Sequence, residues 1–321
     1  MTQIYPPLKP YAEQRIRVSD GHSLHLEQSG NPEGLPVLYL HGGPGGGISP
    51  FIRRLFNPAV YRLISFDQRG CGKSTPFLDV EANSTEHLLA DIEHIRSMLG
   101  IEKWVVSGGS WGSTLALIYA IRYPKRVQAM ILRGIFLARQ QDVDWLLTPQ
   151  GAAAQMFAEY YPEFVQGISS PLTTQRIVDY YQQQFHGGND LARLSAARAW
   201  ANWETRVAVM HATDTDMQQE DHRCLSLAIL EHHYLKQGCF VAENYILENI
   251  HQLSGIPATL IHGRYDMVCK AENAVTLHQH WPSSRLCMVP NAGHSGSDPL
   301  IAAAFVASTE QLATFLQGAS S

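Results

Sequence analysis

The chain has 321 residues, 45% hydrophobic and 17% charged, with a formal net charge of -5 and a pI near 6.3. That length can bury a large core, either as one α/β domain or as a core with an inserted second domain. The mild acidity argues against a nucleic acid partner, the lack of a membrane-length apolar run against a membrane span, and the start MTQIYPPLKPYAEQR against a secretory signal.

Ile16, Val18, Leu24 and Leu26 alternate with polar neighbours around Asp20-Gly21, which predicts an antiparallel hairpin with a tight turn. Short apolar runs of strand length follow at 37–40, 63–66, 104–106 and 129–132. A helix is predicted over 84–99, with Leu88, Leu89, Ile92, Ile95, Met98 and Leu99 on one face and Gly100 as its stop. Strands alternating with helices imply βα units and a mainly parallel sheet. From about Leu137 to Ile250 the pattern turns helical, rich in Trp, Tyr and Gln, and reads as an insertion. Strand patterns return at 258–261 and 286–289, with helices from about Glu272 and over 300–316. The expected organisation is a core over 1–136, a helical cap over 137–250, and a second part of the core over 251–321.

The stretch WVVSGGSWGSTLALIYA passes from strand formers through Gly108-Gly109-Ser110-Trp111-Gly112 into helix formers. It fits G-x-S-x-G in the strand-to-helix setting that the motif requires, which makes Ser110 a candidate nucleophile above the sheet edge. The glycines suit a strained backbone and a close strand-to-helix contact, and the helix start can stabilise developing negative charge. A plainer use of the turn is a glycine-rich corner whose serine caps the helix.

A serine nucleophile needs a base and an orienting acid, in the chain order Ser, Asp/Glu, His. Asp266 in HGRYDMVC and His294 in VPNAGHSG each follow a predicted strand, so both are expected at the sheet edge that carries Ser110. The plainer uses are a helix cap for Asp266 and a solvated loop position for His294. Gly43, in His41-Gly42-Gly43-Pro44-Gly45-Gly46-Gly47 after the first core strand, and the Trp111 N–H are candidate oxyanion donors. Asp67-Gln68-Arg69-Gly70-Cys71-Gly72-Lys73-Ser74 ends like a phosphate-binding loop, but Asp67 stands where the first glycine belongs, so Asp67 and Arg69 are read as braces. The 15 histidines include no H-E-x-x-H, and Glu231-His232-His233 on one helix aims its two rings apart; neither a metal nor another cofactor is expected. The five scattered cysteines, never in C-x-x-C spacing, suggest reduced thiols and a cytoplasmic address.

Together YLHGGPGGG, FDQRGCGKSTP, SGGSWGSTLALIYA, RGIF, HGRYDMVC and VPNAGHS resemble the prolyl aminopeptidases (proline iminopeptidases) of the α/β-hydrolase superfamily, from about residue 5 to the C-terminus. The resemblance implies an α/β-hydrolase fold with a helical cap, and release of N-terminal proline from small peptides without metal or cofactor. It implies Ser110, Asp266 and His294 as a triad, Gly43 and Trp111 as oxyanion donors, and Glu204 and Glu231 as carboxylates for the substrate amine. Two carboxylates suit that task, because a cation in a dry pocket needs paired counter-charge. Taken alone, each is a solvated helix glutamate as readily. Family members commonly read E-N-H-Y-F where this chain has Glu231-His232-His233-Tyr234-Leu235, so an aromatic wall for the proline ring is aliphatic here, and Phe136 is left as the candidate wall. Other readings are an esterase, lactonase or amino-acid amidase with the same triad, or a silent binding protein on this scaffold. An epoxide hydrolase or dehalogenase of the fold would carry Asp at position 110.

Overall fold

The computed structural model describes residues 4–210, 217 and 219–318. Its apolar runs form β1 (Ala12–Arg17), β2 (Ser23–Gly30), β3 (Leu35–Leu40), β4 (Tyr61–Phe66), β5 (Trp104–Ser110), β6 (Val127–Ile135), β7 (Ala258–Gly263) and β8 (Ser284–Val289). These make one sheet in the order β1-β2-β4-β3-β5-β6-β7-β8. The pairs β1·β2 and β2·β4 are antiparallel and every later pair is parallel. The expected hairpin turns through Asp20 and Gly21, whose φ values of 58° and 79° lie in the left-handed region.

The parallel strands carry apolar residues on both of their faces because both sheet faces are covered. Leu38, Leu40, Val106, Met130 and Leu132 face one cluster with helices α1 (Thr85–Met98) and α2 (Trp111–Arg122); Val37, Tyr39, Val105, Ala129 and Ile131 face the other. The same period of two thus fills two separate cores.

Between β6 and β7 the described chain is helical: α3 (Gln140–Leu147), α4 (Ala152–Met156), α5 (Tyr161–Phe164), α6 (Thr174–His186), α7 (Asp190–Ala208), α8 (Asp221–Lys236) and α9 (Tyr245–Asn249). The first five, with Ala228 and Ile229 of α8, build their own cluster, in which Phe164 stacks on Trp203 at 5.5 Å and Tyr181 meets Trp200 edge-on at 4.9 Å. From Tyr234 onward the buried side chains, Cys239, Ile246 and Ile250 among them, join the core beneath the sheet, so α8 belongs to both bodies. Helices α10 (Ala271–His280) and α11 (Pro299–Gly318) complete the α/β layers. By length and composition α11 is apolar enough to cross a membrane, yet Ile301, Phe305 and Val306 pack on the sheet and the Thr309 carbonyl accepts from Tyr61 Oη at 2.6 Å, as in a core helix.

The serine turn is tight for a steric reason. A Cβ added to Gly112 would stand 2.0 Å from the Leu40 carbonyl oxygen, and one on Gly108 2.2 Å from the Gly112 carbonyl. Gly112→Ala is therefore expected to lose about 3 kcal/mol or more in a urea titration, since backbone must move to admit the methyl group. Gly255→Ala, with open space around it, should stay within about 0.5 kcal/mol of the parent.

Candidate active site

Strand β5 ends at Ser110 and α2 begins at Trp111. Ser110 has φ 58° and ψ -128°, a conformation that costs a non-glycine residue about 1–3 kcal/mol. Ser113 Oγ donates to the Ser110 carbonyl at 2.7 Å and accepts from Phe136 N–H at 3.2 Å, tying the turn to the end of β6. The Ser110 side chain opens into a cleft of about 690 Å³ that His294 also lines.

Asp266 follows β7. Its Oδ1 accepts from the Val268 and Cys269 N–H groups at 3.0 and 2.7 Å, leaving Oδ2 to accept from His294 Nδ1 at 2.8 Å. Burial opposes its ionisation, but the His294 imidazole and these donors outweigh that and hold its carboxyl below the usual range. With Nδ1 donating, His294 presents Nε2 as a base. The backbone fixes the ring from two sides: His294 N–H donates to the Ala208 carbonyl at 3.0 Å, and Arg133 Nη1 donates to the His294 carbonyl at 2.8 Å.

Three further residues support this arrangement, and only the first has a sequence signal. Gly134 (φ 53°) leaves room for the imidazole, since a Cβ there would lie 2.9 Å from His294 Cε1. A glycine inside a strand pattern is a signal of such an approach. His262, fully buried, accepts from Ile135 N–H at 3.0 Å and donates from Nε2 to the Cys269 carbonyl at 3.0 Å, clasping the turn that bears Asp266. The Cys269 thiol lies within 4.8 Å of the Asp266 and His294 polar atoms; burial and the neighbouring Asp266 push it well above the usual thiol range, which keeps it protonated.

The loop after β3 carries Gly43 (φ 105°), and its backbone faces the cleft. His41 Nδ1 donates to the Gly42 carbonyl at 2.9 Å, while its Nε2 accepts from Gln68 N–H at 3.0 Å. Gln68 in turn accepts from Trp111 Nε1 at 2.9 Å, so the two candidate oxyanion donors hang on one network. Asp67 braces the loop, accepting from Ile48 N–H at 2.7 Å and Lys73 N–H at 2.8 Å. Arg69 forms a two-pronged pair with Asp91 at 2.7 and 2.8 Å. The triples His41, Asp67, Cys71 and Asp266, Cys269, His294 have metal-like spacing, and in each the carboxylate accepts hydrogen bonds from protein N–H groups. His232 and His233 donate to different elements, Val178 and Asn83.

Glu204 on α7 lines the cleft and Glu231 on α8 lies behind it, the two carboxyls within hydrogen-bonding reach of each other. Trp200 Nε1 donates to Glu231 Oε2 at 2.6 Å; Glu204 Oε2 is covered and has no partner among the described residues. Burial raises both carboxyls, and the Glu204 charge pushes Glu231 further, well above the usual range. Phe136 and Leu235 do not line the cleft; both pack where the sheet core meets the cap cluster.

A carboxyl whose pKa rises on folding holds its proton more tightly folded than unfolded, so it weakens the fold increasingly as pH climbs from the ordinary carboxylate range towards the raised value. Glu231→Gln keeps an acceptor for Trp200 and removes the ionisation. Its thermal midpoint should match the parent at about pH 4 and exceed it at about pH 8 in scanning calorimetry. A variant less stable at both pH values would contradict this.

Residues 36–298 match the family model described as alpha/beta hydrolase fold. A proline iminopeptidase of Arabidopsis thaliana is 41% identical over 96% of this chain and 82% of its own length. One from Xanthomonas citri is 39% identical over 98% and 100%. Among solved structures, the proline iminopeptidase of Mycobacterium smegmatis superposes with a TM-score of 0.65 over 95% of this chain and 100% of its own, at 19% identity, a likeness of fold. By these matches the chain belongs to the proline iminopeptidase family of α/β hydrolases.

Proposed function

We propose that this protein is a serine aminopeptidase that releases N-terminal proline from small peptides. The observation that carries the reading is the pairing of Glu204 and Glu231 beside a Ser110/His294 cleft, because an uncharged ester has no use for two buried carboxylates. In this reading His294 Nε2 takes the Ser110 proton as the hydroxyl attacks the prolyl carbonyl, and Asp266 holds the imidazole and stabilises its cation. Gly43 and Trp111 N–H groups receive the oxyanion; the amine of the leaving peptide takes the proton from His294, and water then releases proline. The substrate ammonium sits between the two glutamates and restores to them the charge balance that burial denies. Phe136 and Leu235 shape the pocket from behind its surface layer, since both support the cap-to-core junction. A cytoplasmic setting is part of the same proposal, supported by five cysteines that stand as free thiols.

Prolyl naphthylamide should be cleaved at least about a hundredfold faster than its N-acetyl counterpart, since blocking removes the cation and strands two desolvated carboxylates. Comparable rates on both would refute the exopeptidase reading. Glu204→Gln should slow the free-amine substrate while changing a small acyl ester little; the reverse pattern points to an esterase. Ser110→Ala should abolish both activities, losing at least about a thousandfold in kcat, and remain folded.

A further inference from the structure

The core does not hold the oxyanion loop alone. Ser226, in the first half of α8 and 2% exposed, donates its hydroxyl hydrogen to the Gly45 carbonyl at 2.9 Å. Backbones meet there: a Cβ on Gly45 would stand 2.2 Å from the Ser226 carbonyl oxygen and 3.1 Å from Leu227 Cα. One residue on, Leu227 Cδ1 lies 3.2 Å from where a Cβ on Gly43 would be. Gly43 and Gly45 have φ values of 105° and 97°, so no side chain of their own steers these peptides. Inside the loop, Gly46 N–H donates to the Gly42 carbonyl at 3.1 Å, which closes the turn but leaves the Gly45 carbonyl to the helix. Glu231 lies four residues beyond Leu227, on the same face of α8.

We propose that Ser226 is a positioning residue for the oxyanion hole: it docks α8 on the glycine loop, so that one helix sets both the Gly43 amide and the amine-binding carboxylate. The amine half of this statement rests on the aminopeptidase reading; the loop half rests on Gly43 serving any acyl substrate. Without the Ser226 hydroxyl the buried Gly45 carbonyl loses its donor, the loop relaxes about its glycines, and the Gly43 N–H leaves the place where oxyanion charge develops. An interaction used only in the transition state lowers kcat and spares KM when lost.

The test measures kcat, KM and thermal midpoint for Ser226→Ala in the full chain, on prolyl naphthylamide and on a p-nitrophenyl ester. The expected result is a fall in kcat of about five- to twentyfold on both substrates, with KM within about twofold and a midpoint within about 4 °C of the parent. Gly45→Ala, which pushes the loop off the helix from the other side, should show the same split, and the double variant should lose far less than the product of the two single losses. A raised KM at unchanged kcat, or a lowered midpoint with unchanged kinetics, overturns the proposal. If Gly45→Ala does not fold, Ser226→Ala decides alone. A parent protein that cleaves the ester but no prolyl amide defeats the aminopeptidase reading, and the ester kinetics still decide the role of Ser226.

Discussion

The backbone conformation at Ser110 is the constraint on which the rest depends. A serine at φ 58° and ψ -128° persists only because its surroundings leave no alternative. Gly108 and Gly112 let β5 and α2 close to a separation that a methyl group would prevent, and Ser113 ties the corner to β6. The same closeness brings α2 under the β3 carbonyls, so the loop after β3 begins at a place set by the serine corner. Ser110 and the glycine loop after β3 are thus placed by one packing contact, and the hydrogen bonds through Gln68 and His41 refine it.

Around this rigid centre the electrostatics are arranged in opposite senses. Asp266 sits where donors outweigh burial and its charge is favoured, as an acid that must stay ionised beside an imidazole requires. Glu204 and Glu231 sit where burial wins and charge is resisted, which is an unfavourable state for the protein alone.

The parallel strands were legible as short, mostly apolar runs covered on both faces, the first hairpin as alternation about a turn, and Ser110, Asp266 and His294 because each ends or follows a strand at one sheet edge. The sequence also pointed to Asp67 as a brace, since an acid in place of a phosphate-loop glycine has no other evident use. The cap resisted reading: its short helices take their positions from ring contacts such as Phe164 with Trp203, between residues far apart in the chain. Phe136 shows the limit most directly. The family resemblance offered it as a wall while its place at a strand end suited core packing equally, and whether a ring faces a cleft or a junction is decided by the insertion packed over it. Gly134, His262 and Ala208 were missed for a related reason, because each acts on main-chain groups or by close approach of the main chain, which leaves little trace in side-chain pattern.

The carbonyl of Ala208, at the last residue of α7, accepts from both His294 and Ser295. The same helix, one turn earlier, carries Glu204. The cap is thus no detachable lid laid over a finished core, because its longest described helix ends in the main-chain anchor of His294. Exchange of caps between relatives, a natural route to new substrates on this scaffold, is constrained here at a point unrelated to substrate: any replacement segment must deliver a carbonyl to the same spot. Side chains along α7 and α8 can change without disturbing that anchor, whereas the backbone path at Ala208 cannot.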